Sequence, residues 1–425
     1  MPAQATLWLT TGIFTITYAG MALGKVPRLR MDRAGIAFVG AAAMLATGVI
    51  TLGQATAPDS IDYETIFLLF GMMIVVGFLR LSGFFAQLTT WSLSRIKTPR
   101  GLLFVTIVLS GVLSAFLVND IVCLALTPLV LHLTRRLRFE PMPHLIGLAT
   151  AANIGSVGTI TGNPQNMIIG VQSHIPYLRF AIHLFPVAVI GLVIDFAVVA
   201  WVYRKKLKAI EGASDEVTKQ NESKNDEVPR DRVHRWLRRK SGVIALITVI
   251  LFFTGLPIAV VAVGAAAVLL IDRIKPERIY RQIDGGLLLM FVGLFIVVHA
   301  FQMHVVSHWG IDHWHFLLAH PIDLLSLASA VLSNLVSNVP AVLLFEPVMH
   351  AVPAAMQQNA WLALAMSSTF AGNFTVLGSV ANLIVVESAK KEGISISFWE
   401  YCKAGMPITI LTLAVGIAWL MFVHY

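Results

Sequence analysis

Charged residues are scarce in this sequence of 425 residues, in which Asp, Glu, Lys and Arg together make up 13%. Soluble domains carry roughly 25%, because they must present a polar surface to water. Hydrophobic residues instead make up 57%, and many apolar runs reach the roughly 18 residues that a membrane-spanning helix needs. The composition therefore excludes a soluble globular domain and predicts an all-α polytopic membrane protein.

Cysteine is also scarce: Cys123 and Cys402 are the two in the chain, and their spacing fits neither a metal site nor a disulfide framework. The chain has no Walker sequence GxxxxGK(S/T), so ATP-driven transport would require a separate ATPase subunit. It has no His-Glu-x-x-His motif, and no nucleophile accompanies His299, the deepest histidine. The sequence thus predicts that the protein is not an enzyme, holds no metal or cofactor, and uses H+ or Na+ as a coupling ion.

Apolar segments recur along the whole chain. Three of them, beginning near positions 101, 144 and 321, are longer than one membrane span and contain polar residues. The segments fall at 7–24, 34–54, 64–82, 101–134, 144–171, 178–203, 240–255, 257–272, 285–302, 321–349, 361–388 and 404–423.

A charged stretch, 204–240, separates the two halves and is poor in aromatic residues, which is typical of a soluble linker. When this linker is placed in the cytoplasm, the basic clusters of the other loops fall on the same side. Arg179 is then the one outward-facing residue among the 31 lysines and arginines. The distribution predicts a bacterial-type inner membrane protein with a cytoplasmic linker and both termini outside. It also accounts for the net charge of +8 without nucleic acid as a partner.

The two halves contain a two-part internal repeat. VLSAFLVNDIVCLALTP in the first half aligns without gaps with VLSNLVSNVPAVLLFEP in the second, and this match pairs Asn119 with Asn338. A second match sets Leu148 on Leu364, an offset of 216 positions. This second match pairs Thr159, Gly162 and Asn166 with Thr375, Gly378 and Asn382.

The predicted topology puts an odd number of membrane crossings between the two copies, so the copies enter the membrane from opposite sides. Inverted-topology repeats are a transporter architecture in which the solute binds near the bilayer midplane. Each copy is predicted to contain a re-entrant helical hairpin with a polar tip, followed by a broken transmembrane helix. The first repeat covers 1–203 and the second 241–425, with hairpins at 101–135 and 321–349 and broken helices at 144–171 and 361–388.

The sequence ITGNPQN, 160–166, places helix-breaking residues inside an apolar segment. Gly162 and Pro164, and Gly378 in the other copy, interrupt the helix and free backbone groups that can coordinate an ion or polar solute. A structural kink between packed helices is the alternative. The predicted binding residues are Asn119, Asp120, Thr159, Thr161, Gly162, Asn163, Asn166, Ser337, Asn338, Thr375, Gly378, Ser379 and Asn382.

Asp120 is predicted to couple transport to protons. An ionised carboxylate near the bilayer centre costs about 2.5–3.5 kcal/mol on insertion scales, so it is usually functional or paired. The sequence indicates no Lys or Arg at a comparable depth, and the alternative role is an N-cap for the second hairpin arm. Asp195, Glu346 and Glu387 are weaker candidates, and Cys123 is interpreted as a packing residue rather than an arsenic ligand.

At these motifs the chain resembles the ion transporter superfamily, which includes ArsB-type arsenite efflux pumps and sodium-coupled dicarboxylate symporters. VNDIVCLALTP, SNVPAVLL and TVLGSVANLI resemble segments of arsenite pumps, whereas GNPQN is closer to broader anion permeases. The resemblance covers nearly the whole chain. It implies a scaffold domain, a moving transport domain, elevator-like alternating access and a homodimer. It also implies in-plane helices at 84–97 and 305–320, and the histidines from His304 to His320 are interpreted as a wet interfacial face rather than a metal site.

The predicted function is efflux of arsenite or antimonite by a secondary carrier that exchanges its solute for protons through Asp120. The absence of membrane-embedded Lys or Arg favours a neutral solute such as arsenious acid over a dianion. A sodium- or proton-coupled permease for carboxylates or oxyanions is the alternative, because half-helix dipoles and a co-bound sodium ion can hold an anion without basic side chains. Sodium/proton exchange is a third hypothesis.

Overall fold

The computed structural model describes residues 3–23, 31–93, 98–208, 235–272, 274–307 and 320–423. Every regular element in these ranges is helical, and no strand occurs in them. The part of the chain before the linker forms α1 (Ala3–Leu23), α2 (Arg33–Ala46), α3 (Leu52–Ala55), α4 (Tyr63–Leu81), α5 (Phe84–Leu93), α6 (Pro99–Phe116), α7 (Asn119–Arg136), α8 (Pro141–Ser156), α9 (Pro164–Gln172), α10 (Tyr177–Val202) and α11 (Arg204–Lys208).

The part after the linker repeats this order of long and short helices. A π-helical turn, Gln302–Val306, extends the fourth of them. These helices are α12 (Arg235–Phe252), α13 (Ile258–Leu270), α14 (Pro276–Tyr280), α15 (Gly285–Phe301), α16 (Asp323–Val336), α17 (Asn338–Ala351), α18 (Ala354–Ala371), α19 (Val380–Lys391) and α20 (Phe398–Phe422).

Six helices in the described ranges are long and apolar enough to cross a membrane. Their exposed large side chains are mostly aliphatic or aromatic, such as Val193 at 65% and Ile410 at 59%, which suits contact with lipid. The prediction of an all-helical polytopic membrane protein is therefore confirmed. The six are Gln4–Leu23, Tyr63–Leu81, Pro99–Phe116, Tyr177–Val202, Gly285–Val306 and Phe398–Phe422.

Two boundaries differ from those that the sequence indicated. The apolar segment 34–54 is not one helix, because Gly48 adopts a φ of +71° that ends α2, and Thr51 starts α3 with a capping box. The helix after the linker begins at Arg235, inside the stretch 204–240 that was assigned to the linker. Helix α12 thus includes charged residues from the end of that stretch as well as the apolar residues that follow.

Glycine allows two pairs of helices to cross with their backbones in contact. A Cβ atom at Gly71 of α4 would lie 2.7 Å from the carbonyl carbon of Ala262 in α13, and one at Gly293 of α15 would lie 2.7 Å from that of Ala37 in α2. Small residues at helix crossings are typical of membrane proteins, because close packing replaces the hydrophobic effect there. The two crossings join α4 to α13 and α15 to α2, and the contact between α4 and α15 brings the two pairs into one packed group.

We expect Gly71→Ala and Gly293→Ala each to lower the free energy of unfolding by about 1–3 kcal/mol, because the added methyl group overlaps backbone that cannot move freely. Gly264→Ala in α13, the helix that Gly71 contacts, is the matched control, since a Cβ atom at Gly264 meets nothing within 4 Å. Thermal unfolding of the detergent-purified variants measures the difference. Equal midpoints for Gly71→Ala and Gly264→Ala would contradict the close crossing.

The other long helices surround two interruptions in the chain. Helices α6 and α10 pack on α8, α16 and α20 pack on α18, and α10 packs on α20. Two helical hairpins accompany them. Helices α6 and α7 have 18 residues each, about 27 Å, whereas α16 and α17 have 14 each, about 21 Å. The arms of the second hairpin are therefore shorter than the roughly 30 Å hydrocarbon core of a bilayer.

Candidate functional site

Both interruptions lie where the sequence places glycine between apolar residues, and the first also contains proline. Helix α8 ends at Ser156, the chain becomes extended at Thr159 and Asn163, and α9 begins with Pro164 at its first position. Gly162 lies between them against the backbone of Ser156, where a Cβ atom would collide with the carbonyl group. In the second half, α18 ends at Ala371 and α19 begins at Val380 after an extended Ser379.

Two asparagines hold these interruptions in the same way. The Asn166 Nδ2 atom donates to the carbonyl oxygens of Ser156 and Thr159, both at 3.0 Å. The Asn382 Nδ2 atom donates to those of Gly372 and Thr375, at 2.7 and 3.1 Å. These three positions align at the offset of 216 found in the sequence. Each asparagine therefore replaces helical donors that the break has removed.

A second set of bonds joins the two interruptions to each other. In α18, the Thr369 hydroxyl accepts a hydrogen bond from Asn163 at 3.2 Å and donates to Asn166 Oδ1 at 3.5 Å. In α8, Asn153 occupies the aligned position: it accepts from Ser379 at 3.0 Å and donates to Asn382 Oδ1 at 3.1 Å. Each half thus contributes one side chain to the break in the other.

The turns of the two hairpins complete this arrangement. Asn119, at the start of α7, donates to Asn153 Oδ1 at 3.0 Å. Asn338, at the start of α17, has an amide orientation in which it donates to the carbonyl oxygens of Ser368 at 3.1 Å and Gly378 at 3.2 Å. In that orientation it also accepts from Gln165 at 3.2 Å, and Gln165 donates to Thr369 at 3.2 Å.

We name the central group the polar cluster. Its members are buried amides and hydroxyls, with exposures of 3% or less, and none carries a charge. Two helix interruptions and two hairpin turns surround the polar cluster. Each of them brings one helix C-terminus beside one helix N-terminus, so partial charges of opposite sign alternate and largely cancel. The polar cluster consists of Asn119, Asn153, Asn163, Asn166, Thr369, Ser379 and Asn382.

Five predicted binding residues belong to the polar cluster, and Asn338 adjoins it. Thr375 contributes its carbonyl oxygen, and Gly378 contributes its own to Asn338. Two threonine side chains lie elsewhere: the Thr159 hydroxyl donates to the carbonyl oxygen of Ala115, and the Thr161 hydroxyl bonds to that of Tyr177 at 2.8 Å. Their hydroxyls fix the first break against α6 and α10.

Asp120 lies beside the polar cluster: its backbone N–H donates to Asn119 Oδ1 at 3.0 Å, but no hydrogen bond found among the described residues joins its carboxyl group to the cluster. It is partly exposed, and it occupies the first turn of α7 rather than the N-cap, which is Val118 without a side-chain cap bond. Asp284, the N-cap residue of α15, has its carboxyl group within electrostatic range of the Asp120 carboxyl group. Asp120 therefore sits at the boundary between the first hairpin and the helices joined by the glycine crossings.

A basic side chain reaches the second hairpin. The Arg33 guanidinium, at the start of α2, donates to the Ser337 hydroxyl at 3.5 Å. Ser337 forms the tight turn of this hairpin with a φ of +81°. The turn of the second hairpin therefore has a basic side chain in contact with it, which the sequence did not indicate. The contact joins residues 304 positions apart and follows from helix packing alone.

Sequence reasoning also missed three polar residues at the site. Asn153 and Thr369 occupy aligned positions one turn before the breaks, and Gln165 lies inside the ITGNPQN motif itself. Their alignment was the available signal, although Asn and Thr are not identical. Of the predicted interfacial histidines, His304 contacts the carbonyl oxygen of Val49 at 2.9 Å, whereas 308–319 lie outside the described residues.

Broken helices that meet in a buried polar cluster are an arrangement found in secondary transporters. The family model described as "Citrate transporter", CitMHS, matches residues 18–371, and the chain belongs to this family. The resemblance to the ion transporter superfamily is thereby confirmed. So is the prediction that the protein is a transporter and not an enzyme.

Relatives match over nearly the full length. The chain is 30% identical to the "46 kDa membrane protein" of Mycobacterium leprae, over 95% of this chain and 96% of that protein. It is 31% identical to "Silicon efflux transporter LSI3" of Oryza sativa subsp. japonica, over 92% of this chain and 93% of that protein. It is 25% identical to "Putative transporter arsB" of Dictyostelium discoideum, over 92% and 87%.

Proposed function

We propose that the protein exports a small uncharged hydroxy acid, arsenious acid or its antimony analogue, in exchange for protons. The observation that carries this proposal is the polar cluster, in which aligned amides and hydroxyls from both halves meet without a charged member. Amide groups both donate and accept hydrogen bonds, as the hydroxyl groups of such a solute do. The names of the silicon efflux transporter and the arsB relative support the same class of solute.

The proposal includes two inverted repeats. Its support is the recurrence of the same bonds at an offset of 216 positions: Asn166 and Asn382 span their own breaks, while Asn153 and Thr369 cross to the other. The hairpins are proposed to be re-entrant, since their polar turns meet the polar cluster and the arms of the second are too short to span. The group α2, α4, α13 and α15 would form the scaffold, and α6–α10 with α16–α20 the transport domain of an elevator.

The proposed topology is that of an inner membrane protein with the linker 204–240 in the cytoplasm and both termini outside. The proposed assembly is a homodimer through the scaffold. Because the chain has no Walker sequence, coupling to ATP would require a separate subunit, but proton exchange does not. In each cycle the solute would replace bonds within the polar cluster, and Asp120, at the edge of the moving domain, would carry a proton in the opposite direction.

The test is uptake into everted membrane vesicles with an imposed pH gradient, measured for arsenite and for citrate. We expect arsenite to accumulate when the lumen is acidic and to equilibrate without accumulation when a protonophore collapses the gradient. Vesicles without the protein serve as the control. Citrate uptake without arsenite flux would overturn the proposal.

A proton- or sodium-coupled permease for carboxylates is the second candidate, and two observations favour it. The family model is described as a citrate transporter, and the Arg33 guanidinium donates to Ser337 at the turn of the second hairpin. A guanidinium can bind a carboxylate through two parallel hydrogen bonds. An anion bound at this turn would lie between Arg33 and the N-terminus of α17, both of which favour negative charge.

The Arg33→Gln variant separates these candidates. With an uncharged solute, we expect the rate of arsenite uptake to stay within about twofold of wild type, because the lost bond is long and lies outside the polar cluster. With a carboxylate, removal of a charged hydrogen-bond partner would lower uptake by about tenfold or more. Arg278→Gln, on the exposed helix α14, is the control for a changed surface charge. A tenfold loss of arsenite uptake in Arg33→Gln alone would contradict the neutral-solute proposal.

A further inference from the structure

A second acid lies buried near the polar cluster. Asp195 of α10 has no solvent exposure, and its Oδ1 atom lies 2.7 Å from the Thr150 hydroxyl. Its Oδ2 atom has no hydrogen-bond partner in the described part of the chain. The ion pairs found among the described residues do not include it. An ionised carboxylate left with a single donor and no cation is costly in a protein interior.

The Thr150 hydroxyl provides a second argument about the proton. A hydroxyl group has one hydrogen to donate. The Thr150 Oγ1 atom also lies 2.8 Å from the carbonyl oxygen of Ile146, one turn earlier in α8. When that hydrogen binds Ile146, the hydrogen between Thr150 and Asp195 must come from the carboxyl group. The contact is then satisfied only by a protonated Asp195.

This acid is connected to the polar cluster through one further residue. Asn373, in the second interruption, donates to the carbonyl oxygen of Thr150 at 3.1 Å and accepts from Asn153 Nδ2 at 2.8 Å. Asn153 in turn bonds to Asn119, Ser379 and Asn382. A change in the charge of Asp195 would therefore act on Thr150 and, through Asn373, on the member of the polar cluster with the most bonds.

Among the described residues, the helices packed against α10 place no basic side chain beside the Asp195 carboxyl group. Tyr401 of α20 is buried, and its hydroxyl has no hydrogen-bond partner among the described residues. Helix α18 contributes no titratable group to this packing. The remaining titratable groups on the helices packed against α10 are buried His144 and Cys402, and Arg100, Arg204, Lys205, Lys206, Lys208, Glu400 and Lys403 near exposed helix ends.

From this geometry we propose that Asp195 is a second proton-binding site, distinct from Asp120, that loads and releases one proton in each transport cycle. The proposal rests on the proposed proton exchange. Protonated Asp195 keeps Thr150 and Asn373 in the arrangement seen here, with the polar cluster closed on itself. Release of the proton leaves a buried charge beside Thr150, and this charge favours a rearrangement of α8. In the rearranged state, the polar cluster exchanges its internal hydrogen bonds for hydrogen bonds to the solute.

The Asp195→Asn variant tests this site, because Asn preserves the shape of the side chain and cannot titrate. One proton less per solute lowers steady-state arsenite accumulation by about tenfold for each unit of imposed pH gradient. Because Asn mimics the protonated acid that keeps the polar cluster closed, counterflow, the exchange of labelled for unlabelled arsenite without a gradient, should be slower than in wild type. A wild-type midpoint of thermal unfolding shows that the variant is folded. Glu277→Gln, on exposed α14, is the matched carboxyl-to-amide control. Accumulation equal to wild type in Asp195→Asn would overturn the proposal.

Infrared difference spectroscopy of the purified protein supplies a readout that does not depend on transport. We expect a carbonyl-stretch band from a protonated carboxyl group at neutral pH in wild type, missing from Asp195→Asn and altered when arsenite is added. If wild-type vesicles move no arsenite, the proposed function fails, but the infrared band still tests whether Asp195 binds a proton. Absence of an Asp195-dependent band in wild type would overturn it.

Discussion

The Asn166→Leu and Asn382→Leu variants are each expected to lose arsenite transport and to lower the free energy of unfolding by about 2–4 kcal/mol. Each replacement removes donors from two buried carbonyl oxygens at a helix break, and a buried polar group that loses its partner costs about 1–3 kcal/mol. Leu has the same number of side-chain heavy atoms as Asn and the same branch at Cγ, but it cannot donate to these carbonyl oxygens. Because the two residues make aligned bonds, we expect similar losses in both.

Thr412→Val is the matched control for this pair. Thr412 is buried to 1% exposure, like the two asparagines, but its hydroxyl donates to Ile408 and Thr409 of its own helix. Its loss leaves those carbonyl oxygens with their helical partners, so the free energy of unfolding should change by about 0.5 kcal/mol or less. Thermal unfolding and arsenite counterflow measure both effects. Wild-type counterflow in Asn166→Leu or Asn382→Leu would exclude the polar cluster as the binding site.

The Asp120→Asn variant is expected to lower acid-driven arsenite accumulation by about tenfold per unit of pH gradient, and its combination with Asp195→Asn by about 100-fold. The physical reason is that each amide removes one titratable group, and hence one proton per cycle, without adding a charge. Steady-state uptake into everted vesicles at several imposed gradients gives the slope from which the number of protons is read.

Counterflow separates this coupling defect from a folding defect, since Asn at position 120 keeps the side chain's size at the hairpin turn. Asp284→Asn is the control at the facing helix, where Asn can also serve as an N-cap for α15. We expect its slope to equal that of wild type. A wild-type slope in Asp120→Asn would remove Asp120 from the coupling mechanism and leave Asp195 as the single proton site.

Much of the site was predictable from local chemistry. Gly162, Pro164 and Gly378 lie at the two interruptions, where proline removes a backbone donor and glycine tolerates close contacts. Asn166 and Asn382 were predicted as binding residues from their alignment. The structure shows each one spanning its own break, with bonds to positions 7 and 10 residues earlier in the chain. Such short-range partners follow from the motif itself.

Other features could not be predicted, because they depend on which distant helices pack together. Thr159 and Thr161 were predicted as binding residues from their place in the motif, but their hydroxyls bond to Ala115 and Tyr177. Asn153 appeared to be an ordinary polar residue in α8, yet it joins 119, 373, 379 and 382. A side chain's direction around a broken helix is not encoded in the spacing of the motif.

The sequence by itself determined that this is a polytopic membrane protein with two related breaks, because apolar runs, glycine, proline and charge act locally or through the bilayer. Only the tertiary structure decided which polar groups meet there. It closed the polar cluster across the two halves and brought Arg33 to the second hairpin. Among the described residues, it left Asp195 with Thr150 as its one hydrogen-bond partner. The physical reason is that a buried polar side chain must find its partner among whatever the packed helices place beside it.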